Sequence, residues 1–228
     1  MDEKMNRAAQ ELLEHCERNK YDIDIRVQLF LTLLKAKEYK VVVKEAIEIV
    51  GDNVHSTQYH YDLVERIVKE GFAEEFIKSL TSKTAALHKD KIYYLMGLTK
   101  DCMGKLDEAF LCQQEVISVN PKFAEAYYNM ANIHTKNGNN EKAFELLKKS
   151  IRINSRLAEA HFALGVKYYK LHQYKKAMKH YKVFIRNANE YLQLYKENAA
   201  EFIRIAKIIN KTNKKIPRSL RKNSNRFS

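Results

Sequence analysis

Turn-forming residues are scarce in this sequence. Its 228 residues include 2 prolines and 6 glycines, where average usage would supply roughly 27 of the two together. A chain so poor in special backbone positions does not read as a β-sandwich, a barrel or a glycine-loop nucleotide fold, each of which needs many of them. Tryptophan is absent, and the 3 cysteines (Cys16, Cys102, Cys112) form no Cys-x-x-Cys pair. Neither a disulfide framework nor a zinc site of recognisable spacing is indicated, and a reducing compartment is the simplest setting. The longest run without Asp, Glu, Lys or Arg is Ala126 to Thr135, far short of the roughly 20 apolar residues that span a bilayer. The opening Met1–Asp2–Glu3–Lys4 is polar and leads into no apolar segment. No targeting peptide is expected from it, and a cytoplasmic location is expected, or a nuclear one in a eukaryotic source.

What is present is a period. Gly104 and Gly138 stand 34 residues apart, and Gly97 and Gly165 stand 68 apart. Blocks beginning at Asp90, Ala124 and Ala158 align without a gap. Equivalent slots hold Tyr93, Tyr127 and His161, then Met96, Met130 and Leu164, then Gly97, Ala131 and Gly165. Ala109, Ala143 and Ala177 follow at a common offset, and Pro121 closes the first block. Repetition on this length scale means stacked supersecondary units. Within a block the apolar residues fall at helical spacing twice: Tyr127, Met130, Ala131 and His134, then Ala143, Phe144, Leu147 and Ile151. A glycine-centred turn separates the two stripes, at Gly104 or Gly138, where a helix can end in the left-handed conformation. The small residues at Gly97, Ala131 and Gly165 let the second helix approach closely, with Ala109, Ala143 and Ala177 as the small residues on it.

These residues resemble the tetratricopeptide repeat family over residues 90 to about 191, three repeats. The segment AEAYYNMANIHTKNGNNEKAFELLKKSIRIN reads almost as the family consensus, with Tyr where Trp is usual. Lys100 and His134 depart from an aromatic slot, and Ser155 and Asn189 stand where Pro is usual. The resemblance implies an all-α fold, a right-handed α-solenoid of helix-turn-helix repeats. The same period continues upstream with weaker chemistry, from Ile23 and Thr57, with Leu29–Phe30 and Leu63–Val64 in matching slots. The expected organisation is an N-terminal helix in 1–22, two degenerate repeats in 23–89, three clear repeats in 90–191 and a C-terminal capping helix in 192–210. The capping stripe is Leu192, Tyr195, Ala199, Phe202, Ile205 and Ile209. Residues 211–228, with Pro217 and almost no apolar side chains, read as a basic disordered tail.

By resemblance, such an array is a non-enzymatic scaffold or adaptor that binds a peptide or partner protein along the concave face of its first helices. The repeat register places Tyr94, Leu98, Tyr128, Asn129, Asn132, Phe162, Val166 and Tyr169 on that face, with Glu125 and Glu159 at its second slot. Tyr94, Tyr128 and Phe162 would form an aromatic ladder of interface anchors, and Asn129 with Asn132 could bond an extended backbone. The family's carboxylate clamp for the C-termini of Hsp70 or Hsp90 is disfavoured. Asn129 fits it, but the other clamp slots hold Tyr94, Leu98, Glu159 and Ala163, without a cation. No phosphate loop, nucleophile elbow or His-Glu-x-x-His occurs, and His172 and His180 are split by a turn, so neither an enzyme, a metal site nor a cofactor is expected.

Charge supplies a second functional class. Net charge is +13, and it is concentrated at one end: residues 160–228 carry 17 basic and 3 acidic residues. Lys175, Lys176, Lys179 and Lys182, then Lys214, Lys215, Arg218, Arg221 and Lys222, form the basic patch. Such a patch would draw RNA or DNA, an anionic surface or an acidic protein. The alternatives to an adaptor are therefore a nucleic-acid- or ribosome-associated protein using the basic end, and an assembly or secretion chaperone shielding an apolar segment in the groove.

Overall fold

The computed structural model describes residues 3–51, 56–81 and 87–215. Among them the chain is all α: twelve helices and one short 3-10 turn, with no strand. A first helix, α1 (Glu3–Arg18), precedes five helix pairs. They are α2 (Ile23–Lys35) with α3 (Tyr39–Gly51), α4 (Thr57–Lys69) with α5 (Ala73–Leu80), and α6 (Lys89–Cys102) with α7 (Leu106–Val119). Then come α8 (Ala124–Lys136) with α9 (Asn140–Ile153), and α10 (Ala158–Lys170) with α11 (Tyr174–Asn187). A 3-10 turn at Glu190–Leu192 leads into α12 (Gln193–Lys215). This is an α-solenoid.

The two weak repeats begin where the period places them, and local chemistry helps. Asp22 caps α2 by accepting from the Ile25 amide, and Ser56 caps α4 by accepting from the Tyr59 amide, each at 3.1 Å. The turn inside every pair then uses one device. Left-handed backbone recurs at Lys37 (φ 57°), Gly71 (84°), Gly104 (75°), Gly138 (75°) and His172 (56°). Glycine holds this conformation freely, whereas an L side chain meets the carbonyl beside it at a cost of about 1–2 kcal/mol. The exposed Lys37 is therefore a local flaw. Lys37→Gly should raise the unfolding free energy by about 1 kcal/mol, read as a higher urea midpoint at unchanged slope. His172→Gly should gain less, because the imidazole also bonds the Tyr174 hydroxyl at 2.9 Å.

Within a pair the packing is reciprocal in size. A Cβ placed on Gly165 would lie 2.5 Å from the Tyr181 ring, and one on Gly97 would collide with the Gln113 side-chain amide. The small slot of the first helix thus faces a large side chain rather than the repeat alanine. Ala109, Ala143 and Ala177 are nonetheless fully buried. Neighbouring pairs stack in sequence order, α2 on α4, α4 on α6, α7 on α8, α9 on α10 and α11 on α12. The cap differs from expectation in length: α12 continues five residues past Asn210, through Lys211–Lys215, because its apolar face (Ala199, Ile203 and Ala206, all buried) launches a regular helix. The rest of the expected tail, residues 216–228, lies outside the described residues.

Candidate partner-binding site

The first helices α4, α6, α8 and α10 carry the inward-facing slots, and the chain closes that face upon itself. The Gln58 amide, in the first turn of α4, donates to Glu159 Oε1 at 3.3 Å across 101 residues of sequence. The Tyr191 hydroxyl donates to Asp62 Oδ2 at 2.6 Å, and the Tyr191 ring meets Tyr59 edge-on at 4.9 Å. Lys136 bonds both carboxylate oxygens of Asp101 at 2.7 Å and lies 5.4 Å from the Tyr61 ring centre. The first turn of α4 is thereby held against α10 and the 3-10 turn.

Closure changes what the expected contact residues can offer. Tyr94 and Leu98 are 0% and 2% exposed. Tyr94 gives its hydroxyl hydrogen to His60 Nδ1 (3.1 Å), whose Nε2–H donates to the Ile49 carbonyl (3.2 Å). For the neutral imidazole this order of donors follows, since the Ile49 carbonyl can only accept and so fixes the ring proton on Nε2. Asn129 is buried too. Tyr128, Asn132, Phe162, Val166 and Tyr169 are half-buried, and two of the rings are already engaged. Phe162 packs on Phe184 and Tyr195 at 5.0 and 5.5 Å, and Tyr169 packs on Phe202 at 5.2 Å. The open aromatic ladder expected from the repeat register is therefore a packed one. The capping helix covers its C-terminal rung, and the α4 contact seals its first.

What stays open is a cavity of about 670 Å³ where the first helices begin. Thr57 and His60 of α4, Tyr94 of α6, Glu125 of α8 and Glu159 of α10 line it, with Lys122 and Arg156 among the loop residues around it. Two asparagines shape those loops. Asn120 Oδ1 accepts the Lys122 amide at 3.2 Å and Asn154 Oδ1 accepts the Arg156 amide at 3.0 Å, an Asx turn repeated one period later. Burial holds the Glu125 and Glu159 carboxyls above the usual carboxylate range. For Glu159 the amides of Gln58 and Thr57 pull the other way. Its carboxylate sits at the α4 N-terminus, where the first amides lack partners within their own helix and the helix dipole favours an anion.

Outside the inner face, Lys175, Lys176, Lys179 and Lys182 are all exposed on α11. Lys214 and Lys215 occupy the end of α12, while Arg218, Arg221 and Lys222 lie outside the described residues. His180, separated from His172 by the turn, is instead paired with His161, Nδ1 to Nδ1 at 3.0 Å. His161 Nε2 donates to the Ser155 carbonyl, so the proton between the rings belongs to His180. Burial, with His161 and Lys179 nearby, pulls the His180 pKa down to about 4. Among the described residues no group of three or more His, Cys, Asp and Glu is placed to hold a metal. Burial pushes the Cys102 thiol up to about 12, leaving little thiolate at neutral pH. Among the described residues no helix is long and apolar enough to cross a membrane.

Tetratricopeptide repeat models match residues 90–123 and 122–190. In fold the chain is similar to TTC0263, a thermophilic repeat protein of Thermus thermophilus, with a TM-score of 0.56 at 16% identity over 87% of this chain and 98% of that one. It is also similar to PilF of Pseudomonas aeruginosa, with a TM-score of 0.50 at 17% identity over 83% and 90% of the two chains. No curated protein sequence matches the chain significantly.

Proposed function

The chain is a tetratricopeptide repeat protein, and from that premise we propose that it is an adaptor gripping a segment of a partner protein at the inner mouth of the array. A protein-interaction scaffold is the general role of such repeats. The observation that carries the finer reading is the cavity of about 670 Å³ walled by α4, α6, α8 and α10. It falls within the range of about 300–1,000 Å³ that small-ligand sites occupy, and its lining is mainly polar, with Leu157 and Leu192 among its few apolar members. The exposed Lys122 and Arg156 frame its entrance. The test is site-specific photo-crosslinking in cells, with the reactive residue at Lys122 or Arg156 and, as the control, at Lys179 on α11. A protein adduct from the two entrance positions, absent from Lys179, is the expected result. Adducts from Lys179 alone would move the site to the outer face.

A second reading rests on α11. Lys175, Lys179, Lys182 and Arg186 recur at spacings of four, three and four, so one exposed stripe of four cations runs along the helix. An anionic partner held there through counterion release would bind with a steep salt dependence, a slope of log K on log salt of about −0.7 per phosphate for a single strand. An anionic partner whose affinity is flat from low to physiological salt would remove this reading.

A further inference from the structure

At its C-terminal end the array joins exposed cations to exposed aliphatic side chains along one edge. α12 runs beside α10 in the same direction, since Tyr195 packs on Phe162 at 5.5 Å and Phe202 packs on Tyr169 at 5.2 Å. At Phe202 it is level with the last turn of α10, and the stretch from Ile203 to Lys215 carries on for about 20 Å more. Ile203 and Ala206 are still buried, whereas Lys207, Ile208 and Lys211 are exposed. The turn between α10 and α11 lies at this same edge and exposes Lys170, Leu171, Lys175 and Lys176. Leu171 and Ile208 are each 57% exposed. The sequence has no acid from Ala160 to Asn189 or after Glu201, and Glu201 is bonded twice by Arg204, at 2.7 and 2.8 Å. Among the described residues none of these five lysines forms an ion pair. Along α12 the two kinds of side chain separate into neighbouring stripes. Ile205, Ile208 and Ile209 recur at i, i+3 and i+4, and Arg204, Lys207 and Lys211 at i, i+3 and i+7.

We propose that this edge docks on the surface of an anionic lipid bilayer, with Leu171 and Ile208 entering the boundary between headgroups and acyl chains and the lysines around them meeting the headgroups. It rests on the reading of the basic end as the site of an anionic partner, and it names the class of that partner. The phosphates of a nucleic acid would satisfy the cations alone. An anionic bilayer attracts the cations to its surface and also takes apolar side chains into its interface. Two aliphatic side chains bury too little area for permanent anchoring, so the contact is peripheral, reversible and sensitive to salt.

The test is co-sedimentation of the full chain with vesicles of phosphatidylcholine alone and of phosphatidylcholine with about one-third phosphatidylserine. A uridine oligonucleotide, followed by fluorescence anisotropy, is the competing anion. Vesicle binding should require phosphatidylserine and weaken as salt rises. Leu171→Ser with Ile208→Ser should weaken it about tenfold or more and leave oligonucleotide binding unchanged. Lys207→Gln with Lys211→Gln should weaken vesicle binding by about fivefold for each cation removed. All four positions are exposed, so both variants should keep native helix content, which circular dichroism checks. Vesicle binding indifferent to the serine pair would leave charge as the whole of the contact and overturn the proposal. Oligonucleotide binding without vesicle binding would also overturn it, while leaving an anionic partner of another class at the basic end. Binding of neither would remove both readings.

Discussion

Gly165→Val should lower the unfolding free energy of the protein by about 3 kcal/mol, the upper end of the usual cost of overpacking a core. The added Cβ would meet ring atoms of Tyr181 at 2.5, 2.6 and 3.0 Å. Tyr181 cannot yield, because it is fully buried, stacked on Phe202 at 5.3 Å and beside Phe162 at 5.8 Å. The equivalent change at Gly97 should cost less. There the first obstacle is the amide end of Gln113, which makes one weak bond to the Tyr94 carbonyl at 3.4 Å and can rotate away. Urea unfolding followed by helical circular dichroism reads both. Gly165→Val with Tyr181→Leu should recover part of the loss. A fully stable Gly165→Val would mean that α10 and α11 do not pack as described.

Tyr191→Ala should cost about 2–3 kcal/mol and loosen α4 from the 3-10 turn that leads into α12. Large-to-small changes of buried aromatics cost about 3–5 kcal/mol, and Tyr191 is only half-buried, so the lower figure applies. The variant removes the edge-on contact with Tyr59 and the hydrogen bond to Asp62 together. A double-mutant cycle with Tyr191→Phe and Asp62→Ala isolates the bond, whose coupling should be about 1 kcal/mol in this half-exposed setting. The distinctive consequence is spatial. In an ordinary repeat array each unit touches only its neighbours, so the loss of one end contact should leave distant repeats unchanged. Here Tyr191→Ala should speed amide exchange in the first turn of α4, more than a hundred residues away in sequence. Unchanged exchange in α4 would contradict the closure.

Much of this fold was legible in the residues. The starts of α2 and α4 at Ile23 and Thr57 follow from the period alone, and Gly104 and Gly138 adopt the left-handed turn conformation that their slots imply. The same turn at Lys37 and His172 was harder to see, because neither is a glycine, although histidine is one of the side chains enriched at positive φ. The inner face was legible in direction and not in accessibility. A repeat register states which way Tyr94, Asn129 and Phe162 point, and it carries only contacts between adjacent units. Tyr94 is covered by the rings of His60 and Phe123, and Phe162 by Phe184 and by Tyr195 of the capping helix, while the Gln58–Glu159 and Asp62–Tyr191 contacts break the period and join residues 101 and 129 apart. Glu125 and Glu159 occupied a named slot from the start. Their interest arises only when α4, brought across by those same contacts, turns the slot into the wall of a cavity and adds Thr57 to it. His161 and His180 tell a similar story at shorter range, since the two helices of one repeat bring together side chains that the sequence shows only as scattered imidazoles.

The cavity is walled from both sides only where the array closes so that α4 meets α10. Amide exchange at Gln58 measures this most directly. A helix's first amides have no acceptor in their own helix, so protection at Gln58 must come from outside α4, and here it comes from Glu159. A protected Gln58 amide is expected in the intact chain, and loss of that protection in Glu159→Ala, with the interior amides of α4 still slow. A Gln58 amide exchanging at the rate of an unbonded first-turn amide in the intact chain would contradict the closure, and with it the cavity and the partner site built upon it.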